Sequence, residues 1–145
     1  MTVRNAQETD FARVTELLEA LGRARVTHDS YALARQVFLN QLEDPNTAHL
    51  VAIDGGVVAG FCSLHFRTRL NHTTPQAWIP DLFVDPETRG RGAAKTLLIE
   101  AERLARERGC WQLTLESGYA RKEAHEMYAV FGMANEGYYF GKPLG

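Results

Sequence analysis

Cysteine, net charge and long apolar runs are all scarce in this sequence. Cys62 and Cys110 are the only cysteines in 145 residues, and neither lies in a CxxC spacing. A disulfide framework is therefore excluded, and both thiols read as reduced and buried. There is no HExxH and no Cys/His cluster with zinc spacing, so no metal site is expected. Lysine and arginine number 16 against 18 acidic residues, a formal net charge of −2. Such a balance gives no push toward nucleic acid or a membrane surface. No stretch approaches the roughly 20 apolar residues of a membrane span. Met1 to Glu8 has no apolar core of signal-peptide length, so the expected location is the cytoplasm. Repeats, linkers and low-complexity stretches are missing too, which leaves one domain over residues 1–145 as the expectation. A chain of this length in one domain buries roughly 70% of the surface its unfolded form exposes. Its 45% hydrophobic and 23% charged residues suit an ordinary globular protein.

Periodicity then sets out the elements. Val3 to Ala6 suits a short strand. Asp10 is placed to cap a helix in which Phe11, Val14, Leu17, Leu18 and Leu21 recur at helical spacing, with Gly22 as its stop. Ser30 can cap a second helix carrying Tyr31, Ala34, Val37, Phe38 and Leu42, closed by Asp44-Pro45-Asn46. From His49 to Phe66, two β-branched runs flank Asp54-Gly55-Gly56, a hairpin signal. Arg67 to Gln76 is polar and contains Pro75, so it reads as a loop. Ala77 to Val84 reads as a strand in which Pro80 requires an edge, a bulge or a splayed strand. The clearest helix runs from about Gly90 to Arg108, with Gly109 as its stop, and Trp111 to Leu115 is a strand. A last helix, about Arg121 to Phe131, is followed by an aromatic strand, Gly137 to Lys142. Tyr138, Tyr139 and Phe140 of that strand are favoured as core over an interface. The order is α+β, a central mixed sheet with about four helices, and Ala77 to Leu115 resembles a parallel crossover unit.

Between the strand ending at Val84 and the long helix lies Pro86-Glu87-Thr88-Arg89-Gly90-Arg91-Gly92-Ala93-Ala94. A small-residue turn entering a helix N-terminus presents unpaired N–H groups and the positive end of the helix dipole, which together suit phosphate. Arg89 and Arg91 add charge at the same place, so a diphosphate ligand follows. Gly90-Arg91-Gly92-Ala93-Ala94-Lys95 fails the dinucleotide pattern G-x-G-x-x-G at its last position. The nucleotide P-loop fails as well, because Arg89 and Ala94 stand where its two glycines belong.

Arg89-x-x-Gly92-x-Ala94 does match the pyrophosphate loop of the GNAT N-acetyltransferases, [QR]-x-x-G-x-[GA]. The resemblance continues through Asp81 to Glu87 before the loop and Ala124 to Met133 after the next strand, and the element order agrees along the whole chain. It implies the GNAT fold with a partly splayed central sheet, and acetyl-CoA as co-substrate. The donor's implied binding residues are Leu82, Phe83 and Val84 of the splayed strand, then Arg89, Gly90, Arg91, Gly92, Ala93, Ala94 and Lys95 of the loop. The reaction implied is direct attack of a small molecule's primary amine on the thioester. An alkyl ammonium of pKa near 10.4 is only about 0.04% neutral at pH 7, an effective barrier of about 4.6 kcal/mol, so a proton must be removed. The leaving thiolate in turn calls for a weak acid.

Tyr128 occupies the family's tyrosine position in Ala124-x-x-x-Tyr128-x-x-x-Gly132 and is the candidate acid. Asp81 and Glu116 are the candidate carboxylates for the base or amine anchor. Trp78 stands where many relatives carry a glutamate, so ordered water is a second route for the proton. Arg121 stands where many carry an asparagine that contacts the cofactor. His65 and His125 could assist proton transfer. Acceptor choice in the family comes from the first two helices and a later loop, here carrying Arg25, His28, Asp29, Tyr31, Arg67, Arg69, Asn71 and His72. Asp44-Pro45-Asn46, Ser63-Leu64-His65 and Glu123-Ala124-His125 are broadly similar to aminoalkylphosphonate N-acetyltransferases, while aminoglycosides and polyamines stay open as acceptors. Dimers are common in the family, so a homodimer is compatible. A non-catalytic acetyl-CoA sensor and a phosphate-binding module are the rival classes.

Overall fold

A computed structural model describes residues 1–21, 26–117 and 121–145. They form two compact units, Met1–Thr114 and Leu115–Gly145. The first unit starts with β1 (Thr2–Asn5), a 3-10 turn (Glu8–Asp10), α1 (Phe11–Ala20), α2 (His28–Glu43) and β2 (Thr47–Asp54). It continues with β3 (Val57–Arg67), β4 (Gln76–Val84), a second 3-10 turn (Pro86–Thr88) and α3 (Ala93–Glu107). β5 (Gln112–Leu115) follows, and α4 (Lys122–Val130) belongs to the second unit. The mixed, open sheet has the order β1-β2-β3-β4-β5. β1 to β4 pair antiparallel, and β5 reaches its place beside β4 through α3.

Side-chain alternation divides the sheet into two apolar faces. Val51, Phe61 and Phe83 join Phe11, Val14, Leu17 and Phe38 in the core under α1 and α2. On the other face, a Cβ at Gly60 would stand 3.1 Å from Leu97 of α3 and 3.3 Å from the Phe83 carbonyl oxygen, so the close seat of α3 depends on this glycine. Leu97, Leu98 and Ala101 of α3 are fully buried.

Several local expectations shift by a turn. Asp10 precedes α1 but makes no side-chain cap to it. Its carboxylate instead accepts from the Gln7 N–H at 2.7 Å and from both terminal nitrogens of Arg4 at 2.7 and 3.0 Å. That pairing makes a buried charge tolerable, and the Arg4 hydrogen bond holds the Asp10 carboxyl below its ordinary range. α2 is capped by Thr27, whose hydroxyl accepts from the Ser30 N–H while the Ser30 hydroxyl accepts from the Thr27 N–H. The helix therefore begins ahead of Ser30. α3 begins at Ala93, later than Gly90, because Gly92 takes a left-handed φ of 84° as its N-cap. Gly22, the expected stop of α1, lies outside the described residues.

Pro80 produces a bulge. Ser63 pairs with Asp81 and His65 with Trp78, so Ile79 and Pro80 together stand opposite Leu64. Residues three apart on a regular strand face opposite sides. The extra residue restores Trp78 and Asp81 to one face. The aromatic tail is the clear correction. Gly137 to Lys142 forms no strand, and Tyr138, Tyr139 and Phe140 are 76%, 72% and 89% exposed. An alternating aromatic pattern reports burial only when the segment finds a strand to pair with.

Candidate active site

The turn after β4 is pinned from its first residue. The Asp85 N–H donates to the Ala59 carbonyl at 2.8 Å, and the Asp85 carboxylate accepts from the Glu87 N–H at 3.0 Å and from Arg13 Nη2 at 2.8 Å. Arg13 Nε reaches across to the Val58 carbonyl at 3.1 Å. Gly90 and Gly92 both hold φ at 84°, and a Cβ on either would meet nothing within 4 Å. Two glycines are thus held in a left-handed backbone that opens into empty space. That combination lets a ligand approach the main chain closely.

α3 has no side-chain cap at its N-terminus, so the N–H groups of its first turn keep their capacity to donate. Thr96 does not compete for them; its N–H and hydroxyl both donate to the Gly92 carbonyl, at 2.9 and 2.7 Å. Arg89, Arg91 and Lys95 are exposed around this turn while Ala93 is buried beneath it. Arg91 Nη1 donates to Asp54 Oδ2 at 2.9 Å, linking the turn to the β2–β3 hairpin. Open glycines, an uncapped helix start and flanking cations together fit a diphosphate. The side chains of Leu82 and Phe83 are buried in the sheet, which leaves only their main chain to face a ligand.

A cavity of about 350 Å³ opens in the same unit, between α1, α2 and strands β2 to β4. Six aromatic rings from five elements line it: Phe11, Phe38, His49, Phe61, His65 and Trp78. Val14, Leu18, Ala34 and Val37 add aliphatic wall, and Ser63, His65 and Asp81 add polar groups. The bulge at Pro80 is what gives both Trp78 and Asp81 to this wall. His49 Nε2 bonds Gln41 Oε1 at 2.8 Å, while Nδ1 of His49 and Nε1 of Trp78 are buried with no hydrogen-bond partner among the described residues. Burial pushes the His49 imidazole down to about 4, helped by the charge of His65. His65 is also lowered, chiefly by burial and against the pull of Asp81. Both rings are therefore neutral at pH 7.

The expected acceptor-side residues divide. Arg67 lies off the cavity wall, with Nε donating to Gln76 Oε1 at 2.9 Å and its guanidinium carbon 4.5 Å from the centre of the Trp78 ring. His72 stacks on Trp111 at 3.7 Å, and Tyr31 meets Phe11 edge-on at 5.1 Å. His28, Asp29, Arg69 and Asn71 are exposed. Arg25 lies outside the described residues. Burial pushes the Cys62 thiol up to about 12, with Asp81 acting in the same direction.

The family model described as "Acetyltransferase (GNAT) family" matches residues 11–133. The chain belongs to that family. Aminoalkylphosphonate N-acetyltransferase of Salmonella typhimurium is 31% identical over 140 residues, covering 95% of this chain and 86% of the relative. A Bacillus halodurans protein described as a transcriptional regulator has the same fold, with a TM-score of 0.89 at 24% identity and 99% coverage of both chains. So does the aminoglycoside acetyltransferase AAC(6')-Iy, solved with a bisubstrate CoA conjugate, with a TM-score of 0.81 at 19% identity over 98% of this chain and 96% of that one. The protein is thus an N-acetyltransferase with acetyl-CoA as its co-substrate.

In the second unit of this GNAT enzyme, Tyr128 is the buried residue of α4, and its carbonyl accepts from the Met133 N–H at 2.9 Å. His125 Nε2 lies 3.1 Å from Ser117 Oγ. Glu116, expected on a strand, stands one residue past β5 and is exposed. Gly118, Tyr119 and Ala120 of the expected Ser117-to-His125 segment lie outside the described residues.

Proposed function

We propose that the enzyme moves the acetyl group to the primary amine of a small molecule by direct attack, with the ring-lined cavity as the acceptor site. The observation that carries this reading is that one strand serves both ends. β4 supplies Asp81 to the cavity wall and, three residues later at Val84, runs into the glycine turn. Asp81 receives the ammonium and passes its proton to solvent, directly or through ordered water. Glu116, exposed in the second unit, is the other candidate carboxylate. The amine nitrogen then bonds to the acetyl carbon as the C–S bond breaks; Tyr128 gives its phenol proton to the departing sulfur, and the second proton shed by the nitrogen, passed through solvent, restores the phenol. The Cys62 thiol, held protonated by burial, and the raised Cys110 thiol are poor nucleophiles, which supports direct attack over an acyl-enzyme. The aminoalkylphosphonate relative supports an amine acceptor.

A screen of small primary amines with acetyl-CoA, read by free CoA release and by the mass of the acetylated amine, tests the reading. Amine-dependent release is expected; release at one rate with and without amine overturns it. The location proposed with this reading is the cytoplasm. The exposed tyrosines and phenylalanine of the tail favour an interface between two copies. A dimer in sedimentation equilibrium is expected, and a monomer at every concentration contradicts it.

A further inference from the structure

We propose that Arg13 is a positioning residue for the acetyl donor. From α1 it holds and offsets the carboxylate of Asp85, the residue that starts the glycine turn, so that the turn is in place before the diphosphate of acetyl-CoA arrives. This rests on the turn being the diphosphate site.

Arg13 and Asp85 stand 72 positions apart in the chain, and no local pattern pairs them. α1 turns Phe11, Val14 and Leu17 into the core and leaves Arg13 on its flank, its side chain 32% exposed against 16% for Asp85. The guanidinium divides its donors among three acceptors. Nη2 reaches Asp85 Oδ2 at 2.8 Å, Nε the Val58 carbonyl at 3.1 Å and Nη1 the Glu16 carboxylate at 3.2 Å. One planar, permanently charged fork therefore ties α1 to β3 and to the start of the turn.

Asp85 hands that anchorage onward. Its Oδ1 accepts from the Glu87 N–H at 3.0 Å, and its carbonyl accepts from both the N–H and the hydroxyl of Thr88 at 3.0 Å. The Thr88 carbonyl accepts in turn from the Arg91 N–H at 3.3 Å. Hydrogen bonds thus run from α1 to the residue between Gly90 and Gly92. Glycines lose more backbone freedom than other residues when fixed, and a turn held in its binding shape beforehand loses less of it when the ligand binds. Charge acts in the same direction. A carboxylate at the start of a diphosphate turn opposes the ligand, and the guanidinium beside it offsets that charge. Without Arg13, the largely buried carboxylate keeps its charge and loses its cation.

The test is the Kd for CoA by isothermal titration calorimetry, read beside the Tm of each variant. Arg13→Met is expected to weaken CoA binding by about tenfold, a coupling of ordinary size within one ion-pair network. In the Asp85→Asn background, whose amide oxygen can still accept from Glu87, the same change is expected to weaken it by no more than about twofold. Arg4→Met breaks the ion pair to Asp10, which does not touch the turn. It is expected to lower Tm while leaving the CoA Kd within about twofold. Should Arg13→Met fail to fold, Arg13→Gln carries the same test with a polar side chain at this partly exposed position. An unchanged Kd in the Arg13 variant, while Gly92→Ala binds more weakly, overturns the inference and leaves the turn as the donor site. So does an equal loss in both Asp85 backgrounds, or a loss in Arg4→Met as large as in Arg13→Met. Wild-type CoA affinity in Gly92→Ala overturns the reading of the turn and this inference together.

Discussion

Replacing Gly92 by alanine separates backbone strain from ligand binding. Gly92 holds φ at 84°, where an added Cβ touches no protein atom. Its loss of stability should therefore come from the left-handed backbone alone, about 1–2 kcal/mol. For a chain of this size that lowers Tm by roughly 2–4 °C for each kcal/mol. Gly109, just past the other end of α3, has φ 70° and equally open surroundings, so Gly109→Ala is the matched control. The two sites are separated by the 15 residues of α3, about 22 Å at 1.5 Å per residue. Acetyl-CoA at 100 times its Kd stabilises the wild type by about 2.7 kcal/mol. If the new methyl group keeps the diphosphate from the main chain and weakens binding tenfold, the same concentration gives about 1.4 kcal/mol. Thermal shift with and without acetyl-CoA is the assay. Both variants should melt earlier, and only Gly92→Ala should lose about half of the ligand's stabilisation. Equal acetyl-CoA shifts in the two variants would refute the assignment of this turn.

Tyr128→Phe should lower kcat by about a hundredfold, the usual worth of a positioned acid, with the acetyl-CoA KM unchanged; unaltered turnover at saturation rejects the role. Asp81→Asn should raise the acceptor KM by about tenfold or more, since a hydrogen bond to a charged group is worth about 1.5–3 kcal/mol. An unaltered acceptor KM and pH profile would remove Asp81 from the site. His49 gives the pH dependence of stability. Its folded value, about 4, lies below the ordinary 6.5, so the unfolded chain takes up the proton first. Stability is then full above pH 6.5 and falls as the pH drops toward 4, by about 3 kcal/mol in the limit. Chemical denaturation at stepped pH should show this slope, and His49→Phe should flatten it. An equal slope in the variant contradicts the account.

The proposed donor site could be drawn from the sequence because its signals are contiguous. Arg89 to Ala94 fall within six residues, and the strand before them and helix after them carry their own periodicity. The ring-lined cavity could not, because Phe11, Phe38, His49, Phe61 and Trp78 come from five elements and each reads locally as ordinary core. Pro80 did announce an irregular strand. What it could not show is that the bulge turns Trp78 and Asp81, three residues apart, to the same face. Ser30 was identified as a capping residue but is the reciprocal partner of Thr27, since Ser and Thr serve either place in such a box. The tail misled for a physical reason: Tyr138 to Phe140 carry strand propensity, and propensity without a paired neighbour leaves them exposed.

The most direct measurement is amine-dependent release of CoA from acetyl-CoA by the purified wild-type enzyme, with the amine product identified by mass. Amine-dependent acetyl transfer requires release that saturates with amine and yields its acetamide in equal amount. Release that ignores the amine, or an enzyme stabilised by ATP or NAD and indifferent to acetyl-CoA, would contradict it.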